Sequence, residues 1–151
     1  MIVTGELEKI KRLVLYYTRK YGTNNPFEIA DRMGVLYQIG NCKHEGCYMF
    51  LKKHCYIFIS NELDENELRL VMTHELGHAI LDRKENCYFI RNKTLLLNSR
   101  IERRANRFAA ELLIPDEVIL KNIHLTKEQL SRLLGYEQAF IELRLESYYE
   151  L

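Results

Sequence analysis

Val71-Met72-Thr73-His74-Glu75-Leu76-Gly77-His78-Ala79-Ile80 is the stretch on which the reading of this chain turns. His74 and His78 are four residues apart, so on a helix they project from one face, one above the other. Two imidazole nitrogens are then placed to share a single zinc ion. Glu75 follows His74 by roughly 100° of rotation on a helix of about 3.6 residues per turn. Its carboxylate can reach a water on the metal without joining the ligands, the division of labour of an H-E-x-x-H helix. A helical context is supported upstream. Asp64-Glu65-Asn66-Glu67 has the shape of a capping box, and Leu68, Val71, Leu76 and Ala79 keep the segment partly apolar. Two packed, hydrogen-bonded histidines are the plainer alternative, and the rest of the chain decides between them.

Outward from this helix, the chain has the scale of one domain, 1–151, long enough to bury a core without disulfides. Its 47% hydrophobic and 28% charged residues are those of an ordered globular protein. A formal charge of +1 gives no bulk field for nucleic acid or an anionic membrane. No apolar run is long enough to span a bilayer. The first residues, Met1-Ile2-Val3-Thr4-Gly5-Glu6, lack the build of a signal peptide, so a cytoplasmic location is expected. Cys42, Cys47, Cys55 and Cys87 are then expected to be reduced thiols.

Before the central helix, Glu6 to Tyr21 carries Ile10, Leu13, Val14, Tyr17 and Tyr21 at a helical period, ended by Gly22. Asn25-Pro26 opens a short second helix that runs to about Met33 and closes at Gly34. Val35 to Ile39, Cys47 to Leu51 and Cys55 to Ile59 read as strands, the last two joined as a hairpin through Lys52-Lys53-His54. The fold expected is α+β, mostly helical, with a small antiparallel sheet of about three strands. Cys42-x-His44-x-x-Cys47, with His54-Cys55 beyond it, has some of the look of a structural zinc site. Its residues fall partly in strands, where neighbours face opposite ways, and packed thiols are the better reading.

Beyond the central helix, Asp82 to Ser99 reads as a connector, with Leu95-Leu96-Leu97 a short strand or a packing segment. Asn98 or Ser99 then caps a helix from Arg100 to Ile114, stopped by Pro115. Its core stripe is Ile101, Ala105, Phe108, Ala109 and Leu112, with Arg100, Arg103, Arg104 and Arg107 on a solvated face. A catalytic zinc takes three protein ligands and leaves the fourth position to water. Glu102 lies beside the core stripe and is the expected third, with Glu111 on the same helix a weaker rival and a surface Glu favoured by the helix dipole the plainer alternative. Asn106, one turn after Glu102, is placed to accept a hydrogen bond from a histidine ring and so fix its tautomer. Tyr48, His44 and His124 are candidates for stabilising an oxyanion, and that role stays open.

The 121–149 tail reads as two helices around Gly135, with Leu130, Leu133, Leu134, Phe140, Ile141, Leu143 and Leu145 facing inwards. Such a pair has the outline of a helix-turn-helix. Yet Lys121, Lys127, Arg132 and Arg144 stand against Glu128, Glu137, Glu142, Glu146 and Glu150, a net of about −1. That is the wrong sign for phosphate contact, so packing or partner recognition is the expected role and nucleic acid is not an expected partner.

His74-Glu75-Leu76-Gly77-His78 followed by Glu102-x-x-Ala105-Asn106-x-Phe108-Ala109-Ala110-Glu111-Leu112-Leu113-Ile114-Pro115 resembles the ImmA/IrrE family of metallopeptidases. The likeness extends back through Pro26-Phe27-Glu28-Ile29-Ala30 and covers about residues 25–116. Asn106 stands where the family has Asp or Asn, and Thr73 where it usually has a small residue. The resemblance implies a gluzincin-like fold, one zinc ion on His74, His78 and Glu102, and Glu75 as catalytic base. It also implies an intracellular endopeptidase that cleaves a helix-turn-helix repressor encoded nearby in a phage or mobile element. The alternative is a metal-containing binding module that sequesters a repressor or antitoxin without cutting it. Retention of Glu75 speaks for the enzyme, because a structural zinc site needs no base.

Overall fold

The computed structural model describes residues 4–89 and 99–150. In chain order the elements are α1 (Thr4–Tyr21), α2 (Pro26–Met33), β1 (Leu36–Gly40), β2 (Gly46–Leu51), β3 (His54–Ser60), α3 (Glu65–Leu81), β4 (Cys87–Phe89), α4 (Arg100–Leu113), α5 (Asp116–Lys121), α6 (Lys127–Leu134) and α7 (Gln138–Tyr149). The fold is α+β, as the sequence reads.

Local chemistry sets most of these boundaries. The Asn25 side chain accepts from the Phe27 amide, Pro26 opens α2, and Gly34 ends it in the left-handed conformation at φ 75°. Asp64 caps α3 by accepting from the Glu67 amide at 2.8 Å. Thr126 and Gln129 form a reciprocal capping box on α6, and Gly135 closes it at φ 79°. Ser99 precedes α4 but makes no side-chain capping bond. Helix α5, begun just after Pro115 with Asp116 and Glu117 in its first turn, was not part of the sequence reading.

The sheet differs from expectation. Among the described residues it has four strands in the order β1-β3-β2-β4, and it is mixed rather than antiparallel. β2 pairs antiparallel with β3 across a turn in which Lys52 and Lys53 take φ of 50° and 68°, the left-handed values a tight hairpin needs. β1, however, lies parallel to β3, from Leu36 opposite Tyr56 to Gly40 opposite Ser60. After β1 the chain crosses to the far side of the sheet before β2, and β3 returns between the two. No local pattern encodes that crossing. β3 is therefore an inner strand, with Cys55, Ile57 and Ile59 buried. The segment containing Leu95-Leu96-Leu97 lies outside the described residues.

Two apolar clusters hold the elements. One joins Ile10 and Val14 of α1, Ile29 of α2 and Ile57 of β3 to Met72 and Leu76 of α3. The other joins Ala109 and Ala110 of α4 to Leu130, Phe140 and Ile141 of the last helices. Phe108 and Leu112 belong to the first cluster, so α4 serves both. Every residue from Leu70 to Ala79 of α3 is buried, which is why this helix shows no apolar stripe with a polar back. On α4, Ile101 is only half-buried, while Glu102 and Asn106 are buried. In the tail, Leu133 is exposed and Leu143 and Leu145 are half-buried, whereas Arg144 is buried. Arg144 turns inwards because acceptors await it there, the Ile114 carbonyl at 2.7 Å and the Glu111 carboxylate at 3.4 Å.

Candidate metal centre

The site forms where α3 and α4 come closest. A Cβ built on Gly77 would stand 3.2 Å from Ala105 Cα, so the glycine and the alanine let the two backbones meet. His74 and His78 reach out from α3, and Glu102 and Asn106 from α4. The structure brings His74, His78 and Glu102 into one buried group whose ligand atoms all lie within 4.8 Å of one another. His74 Nε2 is 3.0 Å from Glu102 Oε2 and 3.0 Å from His78 Nε2, and His78 Nε2 is 3.4 Å from Glu102 Oε1.

These separations fit a tetrahedral ion. At a zinc–ligand bond of roughly 2.1 Å, tetrahedral ligand atoms stand about 3.4 Å apart. The donor set points the same way. His74 Nδ1 lies 2.7 Å from Asn106 Oδ1, so Nδ1–H donates to the amide oxygen and leaves Nε2 as a lone pair. That lone pair faces a carboxylate and a second imidazole nitrogen, an arrangement that repels unless a cation lies among them. Burial holds His74 below its ordinary pKa in spite of the nearby Glu102, so the ring is neutral. Burial would raise the Glu102 carboxyl, but its close approach to His74 and His78 outweighs this and holds it down at about 2. A neutral His74 and an ionised Glu102 are in the protonation states that metal ligation requires.

Glu75 is the other anomaly. It is fully buried, and among the described residues neither carboxylate oxygen has a hydrogen-bond partner, nor has His78 Nδ1. Burial, and then the charge of Glu102, raises the Glu75 pKa well above the usual carboxylate range. A buried acid left without a partner costs stability, and such groups collect where chemistry is done.

The IrrE N-terminal-like domain of the Peptidase_M78 family matches residues 30–150. The chain belongs to that family. Among its relatives, an immunity region protein of Bacillus phage phi105 with no assigned role is 35% identical over 144 residues, 93% of this chain and 91% of the phage protein. The metallopeptidase ImmA of Bacillus subtilis (strain 168) is 26% identical over 154 residues, 100% of this chain and 83% of ImmA. The alignments take in the His-Glu-x-x-His helix and the Glu102 helix alike, and a Peptidase_M78 protein is expected to bring a metal.

Other residues singled out in the sequence sort themselves by place. Cys42, His44 and Cys47 form no group of three close enough for a metal; among the described residues His74, His78 and Glu102 do. Tyr48 is fully buried and stacks on His78 with ring centroids 6.3 Å apart. Its hydroxyl donates to the Arg83 carbonyl, so it steadies His78 rather than serving as a free donor. His44 is half-buried in the loop before β2, and His124 is exposed between α5 and α6. Gly46 was missed. A Cβ there would stand 2.4 Å from Val71 Cγ1 and 3.3 Å from Glu75 Oε1, so β2 begins in direct contact with the acid. Only an unexplained glycine at a strand start could have signalled it.

Proposed function

We propose that the chain is a zinc-dependent endopeptidase that cleaves a helix-turn-helix repressor encoded nearby in a phage or mobile element. The observation that carries this reading is the pairing of a buried His74-His78-Glu102 group with a buried, partnerless Glu75. The likeness to a phage immunity region protein and to a protein named metallopeptidase ImmA supports a protein substrate and a regulatory setting.

His74, His78 and Glu102 hold the ion, with Asn106 fixing the His74 tautomer. When bound there, zinc supplies Lewis acidity that lowers the pKa of water from 15.7 to roughly 7 and polarises a carbonyl. Glu75 accepts the proton of the attacking water and passes it to the leaving amine. Burial moves the Glu75 carboxyl up from the usual carboxylate range, towards the neutral range in which one group can both take and return a proton. The dry surroundings of Glu75 strengthen each charge interaction during the transfer. The whole chain works as one unit, and a cytoplasmic setting suits it. Among the described residues no helix is long and apolar enough to cross a membrane.

The test is co-expression of the adjacent repressor with wild type or Glu75→Gln. Gln keeps the shape but cannot take a proton, so metal content is retained and hydrolysis lost. A repressor fragment seen only with wild type supports the peptidase. An intact repressor that co-purifies with both proteins instead indicates a binding module that sequesters it.

A further inference from the structure

The chain that leaves α3 runs back along the outer edge of β2. The backbone carbonyl of Arg83 accepts from the Tyr48 hydroxyl, and its guanidinium donates to the Lys53 carbonyl at 3.1 Å and lies over the Phe50 ring. Asn86 Oδ1 then accepts from the Phe50 amide at 3.0 Å, standing in for a ladder carbonyl. Cys87, Tyr88 and Phe89 continue antiparallel, in register with Tyr48, Cys47 and Gly46. The edge of β2 from Gly46 to Phe50 is thus covered by the protein's own main chain and one side chain.

That edge borders the candidate site. β4 packs against α3 as well as β2, so it lies in the angle between the sheet and the helix that carries His74 and His78. The end of β2 it covers is the end that touches Glu75. An enzyme that cuts a backbone amide has to hold main chain in an extended form, and adding a strand to a sheet edge is a general way to do so. Here the edge nearest the acid already carries such a strand. Within the described residues β4 pairs over three positions, and an asparagine side chain stands in for the ladder carbonyl before them.

We propose that Asn86–Phe89 is an internal stand-in for substrate, occupying the β2 edge on which an extended polypeptide pairs, and that cleavage requires its replacement. This rests on the peptidase reading above. The partner is an unfolded or locally unfoldable protein segment running antiparallel to β2 and recognised chiefly through its backbone. A tethered competitor acts at an effective concentration on the order of millimolar. Peptides that bind more weakly than that are refused, which favours a substrate with further contacts elsewhere on the protein.

Tyr88→Cys tests the idea, because Tyr88 is the register partner of Cys47. Directly opposed residues of antiparallel strands have Cα atoms about 4.5–5.5 Å apart, within the reach of a disulfide. Gly46 and Tyr48 face α3, so the alternate position Cys47 faces away, and the cross-link anchors β4 without crowding the metal ligands. The variant is made with Cys42→Ser and Cys87→Ser, loaded with zinc, and cross-linked with oxidised glutathione. It is assayed on the adjacent repressor before and after reduction. The expected result is equal zinc content, cleavage at least tenfold slower when cross-linked, and recovery with reductant. Full cleavage by the cross-linked form overturns the proposal, since the substrate would then be using another surface. Hydrogen exchange on zinc-loaded wild type gives a readout independent of activity. Residues 86–89 should exchange at least tenfold faster than Tyr56–Ile59, and equal protection also overturns the proposal. If neither wild type nor the reduced variant cuts the repressor, the substrate reading has failed, and exchange alone decides whether β4 detaches.

Discussion

Helix α4 buries two carboxylates, Glu102 and Glu111, about two and a half turns apart. At the second, every charge is answered by another side chain. Glu111 lies 3.1 Å from the Lys11 ammonium and 3.4 Å from Arg144 Nη1, and it accepts from the Ser147 hydroxyl at 2.7 Å. Arg144 is answered in turn by the Ile114 carbonyl and Asp116. At the first, among the described residues, Glu102 meets two imidazoles and no cationic side chain, and the Glu75 oxygens nearby have no hydrogen-bond partner. One cluster is electrically closed and ties α1, α4 and α7 together. The other leaves its balance to an ion. The same residue type on the same helix is closed into an ion-pair network in one case and gathered with two histidines into a group that could hold a metal in the other, and the partners make the difference.

The largest effect expected from that contrast is on the chemical end. Glu75→Gln should lower cleavage by about 10³-fold, within the range for loss of general acid–base catalysis. Its melting temperature should not fall, because a buried partnerless acid has been removed. A variant that cuts at the wild-type rate would end Glu75's claim to be the base. Next is Glu111→Ala, which leaves Arg144 buried with less to pair with and should cost about 3 kcal/mol of stability in denaturant unfolding. Zinc stoichiometry should be unchanged; a loss of zinc would show that the two clusters are not separate. Asn106→Ala frees the His74 ring, and isothermal titration should find zinc binding about 10–100-fold weaker. Unaltered affinity would mean that packing alone orients the ring. The smallest effect belongs to a residue in neither cluster. Thr126→Ala removes the α6 cap and should cost about 1 kcal/mol, read by thermal unfolding, with zinc affinity untouched.

The chemical cluster was legible in the sequence because it is helical arithmetic. His74 and His78 share a face by their spacing, and Glu102 and Asn106 share another beside Ala105 and Phe108. Caps at Asn25 and Asp64 gave helix starts for the same reason, that a cap is written within four residues. The closed cluster was not legible, because Lys11, Glu111, Arg144 and Ser147 are distant in the chain and meet only after folding. A reading by apolar period put Leu133 inside and let Arg144 pass, when the structure does the reverse. The parallel pairing of β1 with β3 escaped notice likewise, since strand periodicity fixes faces and not neighbours. Nor could any pattern show that Glu75 lacks a partner. That is a property of everything around it.

Gly77 bears on how such a site tolerates change. Because its missing side chain lets α3 rest on the Ala105 backbone, the two helices behave as the jaws of a caliper, and the chelating residues are read at whatever gap the caliper is set to. A single methyl group at position 77 would stand 3.2–3.3 Å from the Ala105 backbone and the Phe108 side chain, so the jaws would have to give by a few tenths of an ångström with every ligand still in the sequence. A position that touches none of the ligands thus bears on the gap between them.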